Sequence, residues 1–266
     1  MRTAKTVLTV IQERGKQKKP IERVYKLLFN RELYLNAYAK LYPNNGAMTK
    51  GVTDETVDGM SIQKIDRMIE ILREEKYQWK PTRREYIKKK NGKKRPLGIP
   101  IWGDKVLQEV MRQILEAYYE PQFSEHSHGF RPNRGCHTAL QEIQVWKGTR
   151  WFIEGDISQY FDTIDHKILL EILARNIHDG RFIRLVSNML EAGYLEEWKF
   201  NQTISGVPQG GVISPILANI YLNEFDNWIE EVLIPKYTKG KRQKSNPEYN
   251  KLTAEIQKLR KEGDAK

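Results

Sequence analysis

The amino-acid sequence predicts an α+β fold. Apolar residues recur every three or four positions in several segments, which is typical of amphipathic helices, and they alternate in other segments, which is typical of strands. The two kinds of segment do not alternate regularly along the chain, and the sequence contains no internal repeat. Its 266 residues are enough for one large domain or two small ones with a substantial core.

Helical spacing predicts several helices before residue 191. They are one or two helices within 20–42, one from a Ser61 or Asp58 cap to about residue 79, one over 104–121 that stops at Pro121, and two over 166–177 and 181–190. Residues 43–59 are rich in Gly, Asn and Asp, which indicates a loop between the first two helical regions.

The composition favours a polyanionic partner and an intracellular location. Lys and Arg number 45 against 34 acidic residues, a formal charge of +11. A single cysteine, Cys136, excludes an intrachain disulfide framework and indicates a reducing compartment. No apolar run is long enough to span a bilayer, and the N-terminus lacks the pattern of a secretory signal, so we expect no membrane partner. Residues 235–266 are rich in Lys and Arg, and we interpret them as a solvated insertion or terminus, with an RNA contact as the alternative.

Residues 84–100, REYIKKKNGKKRPLGIP, predict a β-hairpin around Asn91-Gly92. A two-residue loop would place Lys88 opposite Arg95. A three-residue loop with a left-handed Gly92 would instead pair Ile87 with Arg95, and Lys89, Lys93 and Arg95 would share one face suited to phosphate oxygens. The residues alone leave both registers open. They also leave open that the hairpin is a solvated, charged element without a binding role.

Residues 151–166, WFIEGDISQYFDTIDH, begin with the alternation of a strand, which would point Glu154 and Asp156 to the same side. A carboxylate at the end of a strand can hold Mg²⁺ or can cap a helix. For the helix that follows, Asp162 or Asp165 is the candidate cap. Tyr160 or Phe161 could form the floor of a sugar pocket.

Residues 206–219, GVPQGGVISPILAN, combine a glycine-rich loop with a helix start at Ser214-Pro215. Gly206, Gly210 and Gly211 leave the backbone uncovered, so a flat base or sugar can approach it. Gln209 supplies the long polar side chain of this loop. Taken alone, the segment also fits an ordinary turn before a helix.

The histidines and cysteine near residue 130 do not indicate zinc. His126, His128, Cys136 and His137 fit no common ligand spacing. Arg131 and Arg134 in the same region are expected to contact nucleic acid or to fix the local structure.

In their order and spacing these stretches resemble the reverse transcriptases, and most closely the group II intron-encoded reverse transcriptase/maturase family. QWKPTRREYIKKKNGKKRPLGIP and FSEHSHGFRPNRGCHTAL resemble the two fingers blocks of that family, WFIEGDISQYFDTIDH its A motif and SGVPQGGVISPILANIYLNEFD its B motif. The resemblance covers about residues 20–232 and implies polymerase fingers and a partial palm, preceded by a helical extension. It divides the chain into an N-terminal extension (1–60), fingers (61–150), an incomplete palm with returning fingers elements (151–234) and the basic insertion or tail (235–266).

The resemblance implies a role for individual residues. Asp156, with the Ile157 carbonyl, would bind catalytic Mg²⁺. Lys89 and Arg95 would bind the triphosphate of the incoming nucleotide. Phe161, with Tyr160 as the alternative, would contact the 2′ position of its sugar. Gln209 and Gly210 would lie at the base pair. The implied nucleic-acid contacts are Arg83, Arg84, Lys93, Arg131 and Arg134.

The family is expected to copy RNA into DNA with Mg²⁺ and dNTPs on an RNA template and DNA primer. It also binds group II intron RNA to promote splicing and mobility, in a bacterial cytoplasm or an organelle, and a homodimer is left open. The alternatives are an RNA-binding splicing cofactor without polymerase activity and a retron-type relative. The family's aromatic-Ala-Asp-Asp motif should follow the B motif, but no Asp-Asp pair occurs in these residues. We therefore expect the 266 residues alone to be inactive as a polymerase.

Overall fold

The computed structural model describes the chain except for residues 1, 89–91, 93, 148–151, 198, 204, 208–209, 239–245 and 264–266. The chain forms two compact units, residues 1–225 and residues 226–266. Within the described ranges, no helix combines the length and apolar character that crossing a membrane requires. The division of the first 234 residues into extension, fingers and palm stays a prediction.

Helix α4 (Trp102–Tyr119) is at the centre of the first unit, and most of its side chains are buried. The other helices that begin in this unit are α1 (Ala4–Lys16), α2 (Arg31–Leu41), α3 (Ile62–Arg73), α5 (Cys136–Gln144), α6 (Tyr160–Thr163), α7 (His166–Asn176), α8 (Gly180–Leu190) and α9 (Ser214–Trp228). Short 3₁₀ helices cover Val24–Phe29, Val57–Gly59 and Glu120–Gln122. Helices α1 and α2 both pack on α4, so the N-terminal region shares one core with the segments that follow it.

The structure confirms the predicted helices and two of their caps. Ser61 Oγ accepts a hydrogen bond from the Lys64 amide at 3.2 Å at the start of α3. Asp165 Oδ1 accepts from the Ile168 amide at 2.9 Å, so Asp165 is the cap of α7. Such caps satisfy amide groups that the first helical turn leaves without a partner.

The main sheet has four strands in the order β3-β2-β5-β6. They are β2 (Thr82–Lys88), β3 (Lys94–Ile99), β5 (Tyr194–Glu196) and β6 (Lys199–Asn201), and β2 is antiparallel to β3 and parallel to β5. Two further short strands, β1 (Ile21–Glu22) and β4 (Ile177–His178), pair in parallel. The hairpin is therefore anchored through β2 to the strands that follow α8.

The strand predicted at the start of 151–166 is not formed. Residues 152–157 have no regular secondary structure and are exposed, with Ile153 92% accessible. A strand is stable only when its backbone groups bond to a neighbouring strand. Among the described residues no strand pairs with this segment, so the alternating pattern alone does not produce a strand here.

The second unit contains a π-helical turn (Ile229–Leu233), α10 (Ile234–Tyr237) and α11 (Pro247–Gly263). The residues of α11 are exposed apart from the partly buried Thr253, and the interpretation of 235–266 as a solvated insertion or terminus stays a prediction. The prediction missed the helix itself. Asn246 starts α11 by accepting a hydrogen bond from the Glu248 amide at 3.0 Å, and Glu, Lys, Leu, Ala and Gln, which favour helix, follow it.

Candidate nucleotide and nucleic-acid site

The hairpin adopts the register of the longer loop. Ile87 pairs with Arg95 and Lys88 pairs with Lys94. Gly92 has a φ of +78°, the left-handed conformation that this loop requires. The two-residue register with Lys88 opposite Arg95 is excluded. Lys89 and Lys93, the other cations expected on the Arg95 face, lie outside the described residues.

Two arginines at the base of the hairpin have partners within the protein. Arg83 donates through Nε and Nη2 to the Lys50 carbonyl at 3.1 and 2.9 Å. The guanidinium carbon of Arg84 lies 3.5 Å from the centre of the Tyr194 ring. These contacts fix the base of β2, and the role of both arginines in nucleic-acid binding stays a prediction.

The beginning of the glycine-rich loop is bonded to the segment that follows Asp156. The Gly206 amide donates to the Ile164 carbonyl at 2.8 Å, and the Val207 amide donates to the Phe161 carbonyl at 2.7 Å. Nε2 of His166 donates to the Gly206 carbonyl at 2.6 Å. A Cβ on Gly206, which has a φ of +88°, would stand 2.7 Å from the Phe161 carbonyl oxygen. The close approach therefore requires glycine at this position.

The end of the same loop is bonded to the base of the hairpin and to α4. A Cβ on Gly210 would stand 2.5 Å from Cδ1 of Leu97 and 2.9 Å from the Gly98 carbonyl oxygen. The Val212 amide donates to Oε1 of Gln108, a buried residue of α4, at 2.9 Å. The loop is thus held between three separate elements. Gln209 lies outside the described residues.

The two aromatic candidates near Asp156 are placed differently. Tyr160 donates through its hydroxyl to the Ala218 carbonyl of α9 at 2.8 Å, so its polar end is engaged in packing. Phe161 is half-buried and has its carbonyl on the glycine-rich loop. The ring centres are 5.7 Å apart. The Tyr160 hydroxyl is therefore engaged within the protein, and the choice of Phe161 for a contact with the sugar stays a prediction.

Asp156 and Ile157 lie in the exposed segment 152–157. Within the described ranges, no group of three or more His, Cys, Asp or Glu side chains is arranged to hold a metal ion. One exposed carboxylate does not make a magnesium site, because the ion needs several oxygen ligands in fixed geometry. The described residues therefore contain a single candidate ligand side chain and not an assembled site.

Arg131 fixes the loop before α5. Arg131 is buried, and its guanidinium donates to a Glu120 carboxylate oxygen at 2.9 Å and to the Ser127 carbonyl at 2.7 Å, with a further bond to the Ser124 carbonyl. It also lies over the Phe123 ring. These contacts fix the local structure, and a contact of Arg131 with nucleic acid stays a prediction.

Three further polar residues of this loop, Arg134, His126 and His128, also have partners within the protein. Arg134 is half-buried and donates to the Glu125 carbonyl. His126 and His128 both bond to the carboxylate of Glu142 on α5, and these bonds lower the pKa of Glu142. His126 and His128 are therefore structural partners of one carboxylate.

The loop between α2 and α3 lies beside the glycine-rich loop. Nζ of Lys105 donates to the Gly46 and Thr49 carbonyls at 3.1 and 2.9 Å, and burial lowers the pKa of Lys105. A cavity of about 190 Å³ lies between this loop, β3 and the start of α4, and Leu97 and Gly210 are among its lining residues. The glycine-rich loop therefore faces an apolar recess.

Sequence reasoning missed two residues that position the glycine-rich loop, Gln108 and His166. Gln108 is 3% exposed, which is unusual for an amide side chain. In the sequence it stands beside Glu109 in an amphipathic helix, so nothing there distinguishes it from a surface residue. Nothing in the sequence distinguishes His166 from an ordinary first residue of a helix.

Comparison with known proteins identifies the family. Residues 87–241 match the family "Reverse transcriptase (RNA-dependent DNA polymerase)". The chain is 47% identical over 239 residues to the "Group II intron-encoded protein LtrA" of Lactococcus lactis subsp. cremoris, covering 89% of this chain and 40% of that protein. It is also 47% identical to the "Uncharacterized 91 kDa protein in cob intron" of Schizosaccharomyces pombe, covering 86% of this chain and 29% of that protein.

A solved structure supports the fold. The chain aligns with a chain of the "Partial Cas6-RT-Cas1--Cas2 complex" with a TM-score of 0.52 and 20% identity, over 78% of this chain and 35% of that one. The 266 residues span less than half the length of each of these proteins. The chain belongs to the reverse transcriptase (RNA-dependent DNA polymerase) family, and its similarity within that family is to the group II intron-encoded proteins.

Proposed function

We propose that this chain supplies the fingers and part of the palm of an RNA-directed DNA polymerase that also binds the RNA of a group II intron. The observation that carries the proposal is the double attachment of the glycine-rich loop. Its beginning is bonded to Phe161 and Ile164, shortly after Asp156, and its end lies against Leu97 at the base of the basic hairpin. A nucleotide at this loop would therefore be within reach of both the hairpin and the A motif.

The hairpin face that carries Arg95 is proposed to bind the triphosphate. Arg95 and Leu97 are two residues apart on β3, so their side chains point to the same face at a separation of about 7 Å along the strand. Leu97 contacts Gly210, so Arg95 lies two residues along β3 from the contact with the glycine-rich loop. Lys89, which lies outside the described residues, is proposed to join Arg95 on the strength of the family resemblance. Guanidinium and ammonium groups are the usual partners of phosphate oxygens.

Phe161 and the glycine-rich loop are proposed to form the remainder of the nucleotide pocket. Phe161 would exclude a 2′-hydroxyl, Gln209 would contact the incoming nucleotide, and Gly210 would let the base pair approach. The apolar recess beside Gly210 supports this proposal, because a flat base is bound mainly by contact area.

Mg²⁺ is the proposed cofactor of the complete polymerase, with Asp156 and the Ile157 carbonyl as ligands. Phosphoryl transfer with two metal ions needs carboxylates that clamp both ions. Asp156 is the one A-motif carboxylate offered for this role, and the described residues do not complete a site around it. The remaining ligands of the metal ions would come from outside the described residues.

The RNA partner is proposed from charge and relationship. The chain carries a formal charge of +11, and the names of two relatives place one as a group II intron-encoded protein and the other in an intron. Intron RNA, an RNA template with its DNA primer, and dNTPs are the proposed partners. A bacterial cytoplasm or an organelle is the proposed compartment.

RNA binding by the 266-residue chain can be tested by filter-binding titrations at several salt concentrations. Each protein–phosphate contact contributes about 0.7–0.9 to the slope of log affinity against log salt. Replacing Lys88, Lys94 and Arg95 with Gln should weaken binding and should lower that slope by roughly 2–3 if all three contact phosphates.

A triple variant of α11, with Lys251, Lys258 and Lys261 replaced by Gln, removes the same charge from the other unit and serves as the matched control. It should retain more affinity than the hairpin variant. Equal losses for the two variants would show that net charge and not the hairpin determines binding, and an affinity insensitive to salt would contradict the electrostatic account.

A further inference from the structure

A second cavity of the first unit has a volume of about 500 Å³ and lies between residues 55–60, α3, residues 76–80 and the start of α4. Trp102 lines both this cavity and the recess beside Gly210, and it is the one described residue that the two have in common. The volume is in the range of sites that bind small organic molecules. The cavity is therefore separate from the proposed polymerase site and large enough for a ligand of its own.

The floor of the cavity consists of the apolar side chains Met60, Met68, Ile71 and Trp102. Met68 is 9% exposed and Trp102 is 3% exposed, so both are held by the core behind them. The Trp102 ring also packs at right angles to the Tyr38 ring, with the ring centres 6.3 Å apart. Thioether and indole groups make favourable contacts with aromatic rings. This floor is therefore suited to the face of a planar ring.

Trp102 offers a hydrogen-bond donor as well as an apolar surface. Its indole Nε1 is buried and has no hydrogen-bond partner among the described residues. A buried donor without a partner is unfavourable, and nucleobases carry acceptor atoms along their edges. A nucleobase thus matches Trp102 in both respects, with a flat face and an acceptor at its edge.

The rim of the cavity is cationic. The exposed cations that line it are Lys64, Arg67, Lys76 and Lys80. Nζ of Lys64 lies 3.5 Å from Oε1 of Glu55, and Nζ of Lys76 lies 3.0 Å from Oε2 of Glu74. The part of the chain that the structure describes provides no such ion pair for Arg67 or Lys80. Arg67 and Lys80 are therefore available to an anion from outside the protein.

The carboxylates of the lining do not cancel this charge. Asp104 is buried and accepts hydrogen bonds from the Tyr77 hydroxyl at 2.6 Å and from the Lys80 amide at 3.1 Å, so its oxygens are already engaged. Glu55 is paired with Lys64. Four cations against these two carboxylates leave the lining with a net positive charge, which favours the oxygens of a phosphate.

We propose that this cavity binds a single nucleotide unit, with its base against Met68 and Trp102 and its phosphate at Arg67 and Lys80. The choice of a nucleotide rests on the proposed function, because a protein that handles dNTPs and RNA meets nucleotides in two forms. One is a free mononucleotide, and the other is an unpaired nucleotide of bound RNA. Both present the same base and phosphate to the cavity.

Calorimetric titration of the complete 266-residue chain with AMP tests the site. AMP should bind with a dissociation constant on the order of 10 μM to 1 mM. Adenosine, which lacks the phosphate, and ribose phosphate, which lacks the base, should each bind at least about fivefold more weakly, because each loses one of the two sets of contacts.

Two variants locate the binding in the cavity. Arg67→Glu combined with Lys80→Glu should weaken AMP binding at least about tenfold. Thr56→Trp, which fills part of the cavity, should weaken it by a similar factor. Lys5→Glu combined with Lys26→Glu makes the same change of charge at two exposed lysines outside the lining and should stay within about twofold of wild type. Circular dichroism establishes that each variant is folded.

Photo-crosslinking distinguishes the two sources of the nucleotide. A short single-stranded RNA that contains thiouridine should crosslink to the peptides around Tyr77 and Trp102 if unpaired RNA enters the cavity, and excess AMP should suppress that crosslink. AMP binding without a crosslink at these peptides would assign the cavity to free nucleotides.

The absence of both AMP binding up to about 10 mM and a crosslink at these peptides would overturn the proposal. AMP binding that Arg67→Glu with Lys80→Glu leaves unchanged would also overturn it. If Arg95→Gln abolishes the binding instead, AMP occupies the proposed polymerase site, so this inference fails while the proposed function stands. AMP binding in the cavity of a protein whose complete form does not extend primers would contradict the proposed function and not the cavity.

Discussion

Gly210 lies so close to Leu97 that a Cβ atom on it would stand 2.5 Å from the Leu97 Cδ1. The contact joins the glycine-rich loop to β3, two residues from Arg95 on the same face. Gly210 also has a φ of +99°, which is unfavourable for any other residue. Conformation and contact therefore both require glycine at this junction of the proposed nucleotide site.

Gly210→Ala should destabilise the first unit. We expect the free energy of unfolding to fall by about 1–3 kcal/mol, because alanine would strain the left-handed backbone and meet the rigid Gly98 carbonyl. Urea unfolding followed by circular dichroism measures the change. Gly129→Ala is the control, because a Cβ there meets nothing within 4 Å and no left-handed φ is involved. A Gly210→Ala protein as stable as Gly129→Ala would contradict the proposed contact.

Gly15→Ala should also destabilise the protein, against the direction of helix propensity. Alanine in place of glycine favours a helix by about 1 kcal/mol. At Gly15, however, the new Cβ would stand 2.1 Å from the Tyr118 carbonyl oxygen, where α1 crosses α4. The backbone of α4 cannot move away locally, so the overlap should dominate and give a net loss of roughly 1–3 kcal/mol.

Gly103→Ala is the matched control for Gly15→Ala, since both glycines are helical. Its Cβ would lie 3.4 Å from Cε of Met68, an ordinary contact with a flexible side chain. We expect a gain of about 0.5–1 kcal/mol there. The midpoint temperatures of thermal unfolding of the two variants should therefore shift in opposite directions. A shift in the same direction would show that α1 and α4 pack less closely at Gly15 than the structure indicates.

Asp104 should make the stability depend on pH. Its carboxylate is buried, accepts hydrogen bonds from the Tyr77 hydroxyl at 2.6 Å and the Lys80 amide at 3.1 Å, and has its pKa raised by burial to about 6. The folded protein then keeps a proton that the unfolded chain has released between about pH 4 and pH 6. The contribution of Asp104 to the free energy of unfolding should be largest below about pH 4 and should be lost as the pH rises through about 6, a loss of roughly 2–3 kcal/mol by pH 7.

Asp104→Asn isolates that contribution. The amide can accept from the Lys80 amide and donate to the Tyr77 oxygen, so the packing is kept while the charge is removed. Relative to wild type, the variant should become progressively more stable between pH 4 and pH 7 in parallel urea titrations. A difference that does not change with pH would show that Asp104 does not titrate in this range.

Elements that depend on local chemistry were predictable from the sequence. Ser61 and Asp165 cap their helices as expected, because a cap needs only its own first turn. The hairpin was predictable as an element but its register was not, since Asn91-Gly92 suits both loop lengths. The pairing of β2 with β3 shows the register of the longer loop.

Features that depend on distant residues were not predictable in the same way. Residues 152–157 have the pattern of a strand, but strand formation depends on a neighbour as well as on the pattern. Gln108 and His166 reach the glycine-rich loop from 104 and 40 residues away in sequence, so only the folded chain shows their role. Helix α11 was missed because a charged, sparsely apolar segment is also typical of a solvated loop.

The most direct test of the proposed polymerase is Asp156→Asn in a protein that carries this chain together with the remaining length found in its relatives. The amide keeps the shape of the side chain but loses the charge that would hold Mg²⁺ against the nucleotide. Primer extension on an RNA template should fall by at least about a hundredfold, because phosphoryl transfer depends on the clamped metal ions. Binding of intron RNA, which rests on dispersed Lys and Arg contacts, should stay within about twofold of wild type in the same preparations. Full primer extension by Asp156→Asn, or a loss of RNA binding with an unchanged circular dichroism spectrum, would contradict the account.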